Sequence, residues 1–240
     1  MIINEDKTKY MIMTRRLINK QNLNIGQYTF EQLDNFIYLG VNINANNNMQ
    51  NEINLRLAAA NRSYFAMNKM FKSRLLSKES KVKLYTTYLR PVIMYGCEKW
   101  STIKGDKGKL LRFERKILRR IYDPIRNPDN GEYEHRKNTD IEKLFNKPNI
   151  QSFLISKRLE WAAHVWRAKQ DLINKVLTNN PSEKRPRGRP RQRWMDRIKN
   201  DLNRTARTVV MEEADNRNHW RSMLYRLMES FKNFAQNANE

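Results

Sequence analysis

The chain has 240 residues, with 47 Lys and Arg against 25 Asp and Glu, a formal net charge of +22, and an apolar fraction of 39%. That length allows one large domain or two small ones, and the apolar content is enough for a packed core, which excludes wholesale disorder. One cysteine (Cys97) and three scattered histidines (His135, His164, His219) exclude an intramolecular disulfide framework, an all-cysteine zinc cluster and a compact His-ligand motif.

Residues 1–45 read as β-rich. Lys9–Thr14 suits a strand, and Leu23–Ile25 and Tyr28–Phe30 flank Gly26-Gln27, which predicts a tight hairpin. Phe36–Ile43 reads as one further strand with Gly40 as a bulge or point of close approach. These strands are too few to close a sheet of their own.

From residue 49 the period becomes helical. Ile53, Leu57, Ala60, Tyr64, Met67 and Phe71 form one apolar stripe. A second helix starts near the N-cap Ser77 and is expected to stop before Pro91. A buried apolar stretch, 91–97, follows and ends at Trp100. A helix over 107–121, capped by Asp106, turns Leu110, Leu111, Ile117, Leu118 and Ile121 inward and leaves Arg112, Arg115, Lys116 and Arg119 largely off that stripe. Residues 123–139 carry Pro124, Pro128 and Asn130-Gly131 and read as a loop and boundary. Helices are expected over about 149–167, 192–204 and 211–234, with a Pro-containing polar linker at 178–191. The fold class is mainly α with a small N-terminal β portion.

The positive charge is concentrated. Residues 99–120 hold nine cations against two acids, and residues 184–207 hold ten against two. Two such blocks imply two contact regions for a polyanion, with nucleic acid as the partner; merely solvated helix faces are the alternative. The sharpest local signal is Lys184-Arg185-Pro186-Arg187-Gly188-Arg189-Pro190-Arg191-Gln192-Arg193. Its Arg-Gly-Arg-Pro centre resembles an AT-hook, thin enough for an A·T-rich minor groove. A nuclear-localisation signal or a phosphate-binding linker accounts for the same residues. Trp161, Trp166, Trp194 and Trp220 neighbour Arg158, Arg167, Arg193 and Arg221 and fit either base stacking or, for the three on apolar stripes, core packing.

Enzyme chemistry leaves little trace. There is no Asp-Asp pair, no H-E-x-x-H, no G-x-S-x-G and no glycine-rich phosphate loop. Cys97 reads as an inert core thiol and His164 as a hydrogen-bonded structural residue rather than a catalytic one. No apolar run reaches the ~20 residues of a membrane span, and no signal peptide is evident, so a nuclear or cytoplasmic location without a membrane partner is expected.

Several segments, in order, carry a resemblance. Ile3–Tyr10 is similar to an "I-N-x-x-K-T-K" segment, Phe36–Val41 to "F-x-Y-L-G-V", and Leu84–Trp100 to "L-Y-x-x-x-x-x-P-x-x-x-Y-G-x-E-x-W". Arg158–Arg167 is similar to "R-L-x-W-x-G-H-V-x-R", with Ala163 where the glycine falls. Gly188–Trp194 is similar to "G-R-P-x-x-R-W", and Ala214–Arg221 to "A-x-D-R-x-x-W-R" with the Asp one residue displaced. Together they resemble the C-terminal part of the endonuclease–reverse-transcriptase polyproteins of non-LTR, long-interspersed-type retrotransposons.

The resemblance implies a palm remnant over 1–45, a helical thumb and connection over 46–122, and a basic helical C-terminal region over 140–240. Tyr38, Leu39 and Gly40 would match the primer grip, and Lys7 and Lys9 would lie near an incoming nucleotide. The family's catalytic carboxylates, and the magnesium they hold, would belong upstream of Met1, so this chain alone is expected to bind RNA template, DNA primer or duplex DNA without polymerising and without a cofactor. An element-derived AT-hook-like DNA-binding protein and a non-functional relic are the other readings.

Overall fold

A computed structural model describes residues 3–14, 19–127, 131–169, 171–179, 193–203 and 210–237, without the side chains of 177, 178 and 231–237. The chain divides into two compact units, Met1–Ala58 and Ala59–Glu240. It is mainly α with a small N-terminal β region.

In the first unit β1 (Lys9–Tyr10) runs parallel to β3 (Tyr28–Gln32), and β2 (Leu23–Ile25) pairs antiparallel with β3. The predicted hairpin is therefore present, and Gly26 supplies its positive φ of 60°. The strand expected over Lys9–Thr14 is only two residues long, and its Lys9 meets the carboxylate of the facing Glu31 at 3.0 Å.

The single strand expected over Phe36–Ile43 is instead a second hairpin, β4 (Asn35–Tyr38) against β5 (Val41–Asn44). Tyr38 pairs with Val41, so Leu39-Gly40 is a two-residue turn, with φ 47° and 76°. Positive φ at both central residues makes it the hairpin turn whose twist matches the strands, and Gly40 is a turn residue rather than a bulge. The side chain of Asn44 accepts from Asn48 N–H at 2.7 Å and donates to its carbonyl at 2.8 Å, bracing the entry to α1 (Met49–Ala66).

α1 begins in the first unit and ends in the second. Ile53, Ala60 and Tyr64 of the expected stripe are buried, and Phe71 is buried on the short α2 (Asn68–Lys72), 5.5 Å from the Tyr64 ring. Ser77 caps α3 (Lys78–Leu84) by accepting from Ser80 N–H at 3.1 Å.

The helix does not stop before Pro91. It widens over Tyr85–Leu89, where Arg90 N–H bonds back to Tyr85 O, and resumes as α4 (Arg90–Ile93) with Pro91 in its first turn. Proline has no N–H to give to the preceding turn, and the one-residue widening re-registers the ladder around that gap. Gly96, at φ 67°, then turns the chain into Cys97–Lys99 and the buried Trp100.

α5 (Lys104–Tyr122) starts earlier than expected. Asp106 is its third residue, not its cap, and its carboxylate accepts from Ile103 N–H at 3.1 Å. Within 123–139 the structure adds a small hairpin, β6 (Ile125–Arg126) with β7 (Tyr133–Glu134). α6 (Asn138–Phe145) ends on Asn146 in the left-handed region, two residues before Pro148. α7 (Ile150–Arg167) is capped by Asn149, which accepts from Gln151 and Ser152 N–H.

α8 (Leu172–Thr178), α9 (Trp194–Leu202) and α10 (Arg217–Asn237) complete the second unit, with a single 3-10 turn over Met211–Asp215 ahead of α10. Ile155, Leu159, Ala162 and Ala163 of α7 share one core with Ile198 and Leu202 of α9 and Trp220, Leu224 and Leu227 of α10. Trp220 is thus core, while Trp166 and Trp194 are partly buried against that core and Trp161 is half-buried. None of the described helices is long and apolar enough to cross a membrane.

Candidate nucleic-acid interface

The second unit is cationic from its start. Residues 59–122 contain 17 Lys and Arg against four Asp and Glu, and two of those acids, Asp106 and Glu114, are buried. Burying these two acids removes counter-charge from the surface, where Arg112, Lys116 and Arg120 among others face solvent.

On α5, Arg112, Lys116 and Arg120 recur at intervals of four and are all exposed. They line one exposed side of the helix, while Leu110, Phe113, Ile117 and Ile121 are buried. The four cations expected off the apolar stripe divide into two pairs. Arg112 and Lys116 stand free of acids among the described residues. Arg115 is half-buried and pairs with Glu142 of α6 at 2.8 Å, and Arg119 donates to Asn138 Oδ1 at 2.6 Å. Arg120 was missed, although its spacing from Lys116 would have shown it.

The Lys116 ammonium lies 5.5 Å from the ring centroids of both Tyr64 and Phe65, so α5 and the end of α1 present one surface. The second basic block is only partly on view: Lys184, Arg185, Arg187, Gly188, Arg189, Pro190 and Arg191, and with them the linker at 178–191 from residue 180 onward, lie outside the described residues. Arg193 precedes α9, and its backbone N–H donates to Asp196 at 3.0 Å.

In the first unit Tyr38, Leu39 and Gly40 form the exposed tip of the β4–β5 hairpin, with Leu39 73% exposed. The hairpin is tied to α1 by a buried carboxylate. Glu52 accepts from Asn42 N–H at 2.7 Å and from Arg56 Nε at 2.6 Å, and Arg56 also donates to Gly40 O. Lys7 is exposed, while Lys9 is taken up by Glu31.

In the second unit several polar side chains in and beside the segments that resemble the retrotransposon enzymes bond inward. Arg158 is 0% exposed, donates to Trp100 O at 2.9 Å and lies 3.1 Å from Asp201, itself 1% exposed. Trp194 Nε1 donates to Glu98 O at 3.0 Å, and Arg197 to Thr102 O at 2.6 Å. Trp220 Nε1 donates to Leu159 O and Arg167 to Ala214 O.

A second buried knot joins α4, α5 and α7. Glu114 accepts from Tyr85 Oη and Arg90 at 2.7 Å each, and from Ile150 N–H at 2.8 Å. Arg90 also donates to Pro148 O and faces the rings of Tyr85, Phe145 and Phe153. Burial, with Glu114 beside it, raises the Tyr85 phenol well above its usual value. Burial works against the Arg90 charge, but Tyr85 and Glu114 outweigh it and hold the guanidinium above its ordinary range.

Cys97 is buried, and burial, reinforced by Glu98, pushes its thiol up to about 12, as expected of an inert core thiol. His164 is exposed and stacks on Trp161 at 5.1 Å, rather than sitting in the hydrogen-bonded structural role expected of it. Among the described residues no group of three or more His, Cys, Asp and Glu is placed to hold a metal ion.

No family model matches the chain, and no solved structure does. It is 28% identical over 206 residues to a Caenorhabditis elegans protein described as transposon-derived and uncharacterized, an alignment that covers 83% of this chain and 72% of that protein. The chain therefore has a relative of transposon origin, and the likeness spans both units rather than one motif.

Proposed function

We propose that this chain is the nucleic-acid-holding, C-terminal portion of a transposon-derived reverse transcriptase. It binds template and primer backbones and performs no polymerisation by itself. The observation that carries this reading is the α5 face, where Arg112, Lys116 and Arg120 are exposed while the acids of the same helix are buried. Spaced cations on a rigid helix neutralise phosphates and read backbone shape rather than sequence. The transposon-derived relative and the ordered series of retrotransposon-like segments support the same reading. So does the exposed tip at Tyr38, Leu39 and Gly40, where a bulky leucine is kept at a positive φ that glycine or asparagine adopts with less strain.

Fluorescence anisotropy with RNA–DNA hybrid, duplex DNA and duplex RNA, from 50 to 200 mM salt, tests it. The expected result is binding to every form with affinity falling steeply as salt rises, and at least equal affinity for hybrid. Affinity independent of salt overturns the proposal. Strong preference for A·T-rich duplex, abolished by Arg189→Ala, would instead support the AT-hook reading.

A further inference from the structure

The surface that α1 and α5 share carries a feature that backbone neutralisation does not use. Phe65 projects from the last turn of α1 and is 63% exposed, although phenylalanine ordinarily finds a place in the core. Its neighbour Tyr64 is buried and supports it, with ring centroids 5.8 Å apart and planes tilted by 57°. The Lys116 ammonium sits over both rings at 5.5 Å. Arg62, at i−3 from Phe65 on α1, and Lys69 on the following α2 are exposed, and Arg112 and Arg120 flank Lys116 one turn to either side on α5. Among the described residues none of these four forms an ion pair.

An aromatic ring held by a second ring and bordered by cations is suited to one ligand chemistry in particular. A planar base stacks on the ring, and the phosphates on either side of it meet the flanking cations. Duplex DNA or RNA satisfies only the cations, because its base faces are already occupied by neighbouring bases. Resting on the nucleic-acid-binding reading above, we infer that Phe65 is a stacking platform for an unpaired base, and that the face formed by Arg62, Phe65, Lys69, Arg112, Lys116 and Arg120 binds single-stranded nucleic acid. Lys116 has two roles there: it fixes the ring through its cation–π contact and supplies a charge for the adjoining phosphate.

The test compares oligo(dT) and a duplex of equal length as probes for the full chain and for Phe65→Ala and Phe65→Trp. Phe65→Ala is expected to weaken oligo(dT) binding roughly 10-fold, the effect of removing one base-stacking ring, while changing duplex affinity less than twofold. Phe65→Trp restores or tightens oligo(dT) binding. The exposed position keeps both variants folded, which thermal melts check. Equal losses for both probes, no loss for either, or displacement of oligo(dT) by polyglutamate as readily as by more oligo(dT) would each overturn the stacking site. The first two outcomes leave salt-dependent binding, and hence the broader reading, intact. Loss of all salt-dependent binding by the unsubstituted chain would count against that broader reading instead.

Discussion

The two units use their retrotransposon-like segments in opposite ways. In Met1–Ala58 the segment over Phe36–Val41 ends in an exposed hairpin tip, and the buried groups Glu52 and Asn44 hold that tip's supports. In Ala59–Glu240 three of the matching residues turn inward: Arg158, Trp194 and Trp220 each donate to a backbone carbonyl of another segment. A motif residue is therefore not in itself a site residue. In the second unit several motif residues act as fastenings, and the exposed cations Arg112, Lys116 and Arg120, on which the proposed binding rests, lie on α5, which the motifs do not cover.

The fastenings give the largest predicted effects. Arg158→Leu leaves Asp201 charged and buried without its counter-ion, and equilibrium denaturation is expected to show a loss of about 3–5 kcal/mol. Arg158→Met with Asp201→Leu replaces both charges by apolar groups and recovers most of that loss. A surface role for Arg158 would instead give a small stability change and a loss of binding, erasing the contrast between the units.

Glu114→Gln comes next, because it removes the charge facing Arg90 and weakens three bonds at once. A loss of about 3 kcal/mol is expected, against about 1 kcal/mol for Tyr85→Phe, which deletes one hydrogen bond. Equal effects of the two would show that Glu114 is not the centre of the knot.

Cys97 sharpens the comparison through pH. The unfolded thiol ionises near 9, whereas the folded one ionises only at about 12. The folded state binds the proton more tightly, so this group's contribution to stability is complete below pH 9 and is lost as pH rises toward 12. Native protein at pH 9 should resist alkylation by iodoacetamide and react readily once unfolded. Fast native alkylation would contradict a closed core there.

The smallest effect is at the exposed tip. Leu39→Asn suits the positive φ of the turn and is expected to raise stability by up to about 1 kcal/mol. A marked loss would mean that the leucine side chain supports the first unit.

Much of this was legible in the residues. The stripe from Ile53 to Phe71, the Gly26 hairpin and the Ser77 cap follow from period and local chemistry, and the structure contains all three. Local rules failed where a distant partner decides. Pro91 reads as a helix stop, yet packing carries the helix across it by widening one turn. Arg115 and Arg119 read as free cations until α6 brings Glu142 and Asn138 to them. Glu114 left a signal, since it falls among the inward positions Leu110, Ile117 and Ile121, and an acid on an apolar stripe calls for a buried partner. Asp201 gave less warning: only the fold brings Arg158, 43 residues earlier, beside it.

The proposed binding rests on the cationic face of α5. The most direct measurement is the salt dependence of duplex DNA affinity for the unsubstituted chain and for a triple variant, Arg112→Gln, Lys116→Gln and Arg120→Gln. If each residue neutralises one phosphate, the slope of log K against log salt should become shallower by roughly 2.7 in the variant, at about 0.9 per phosphate, with an unchanged melting temperature. An unchanged slope and affinity would contradict the claim and move the nucleic-acid contact elsewhere on the chain.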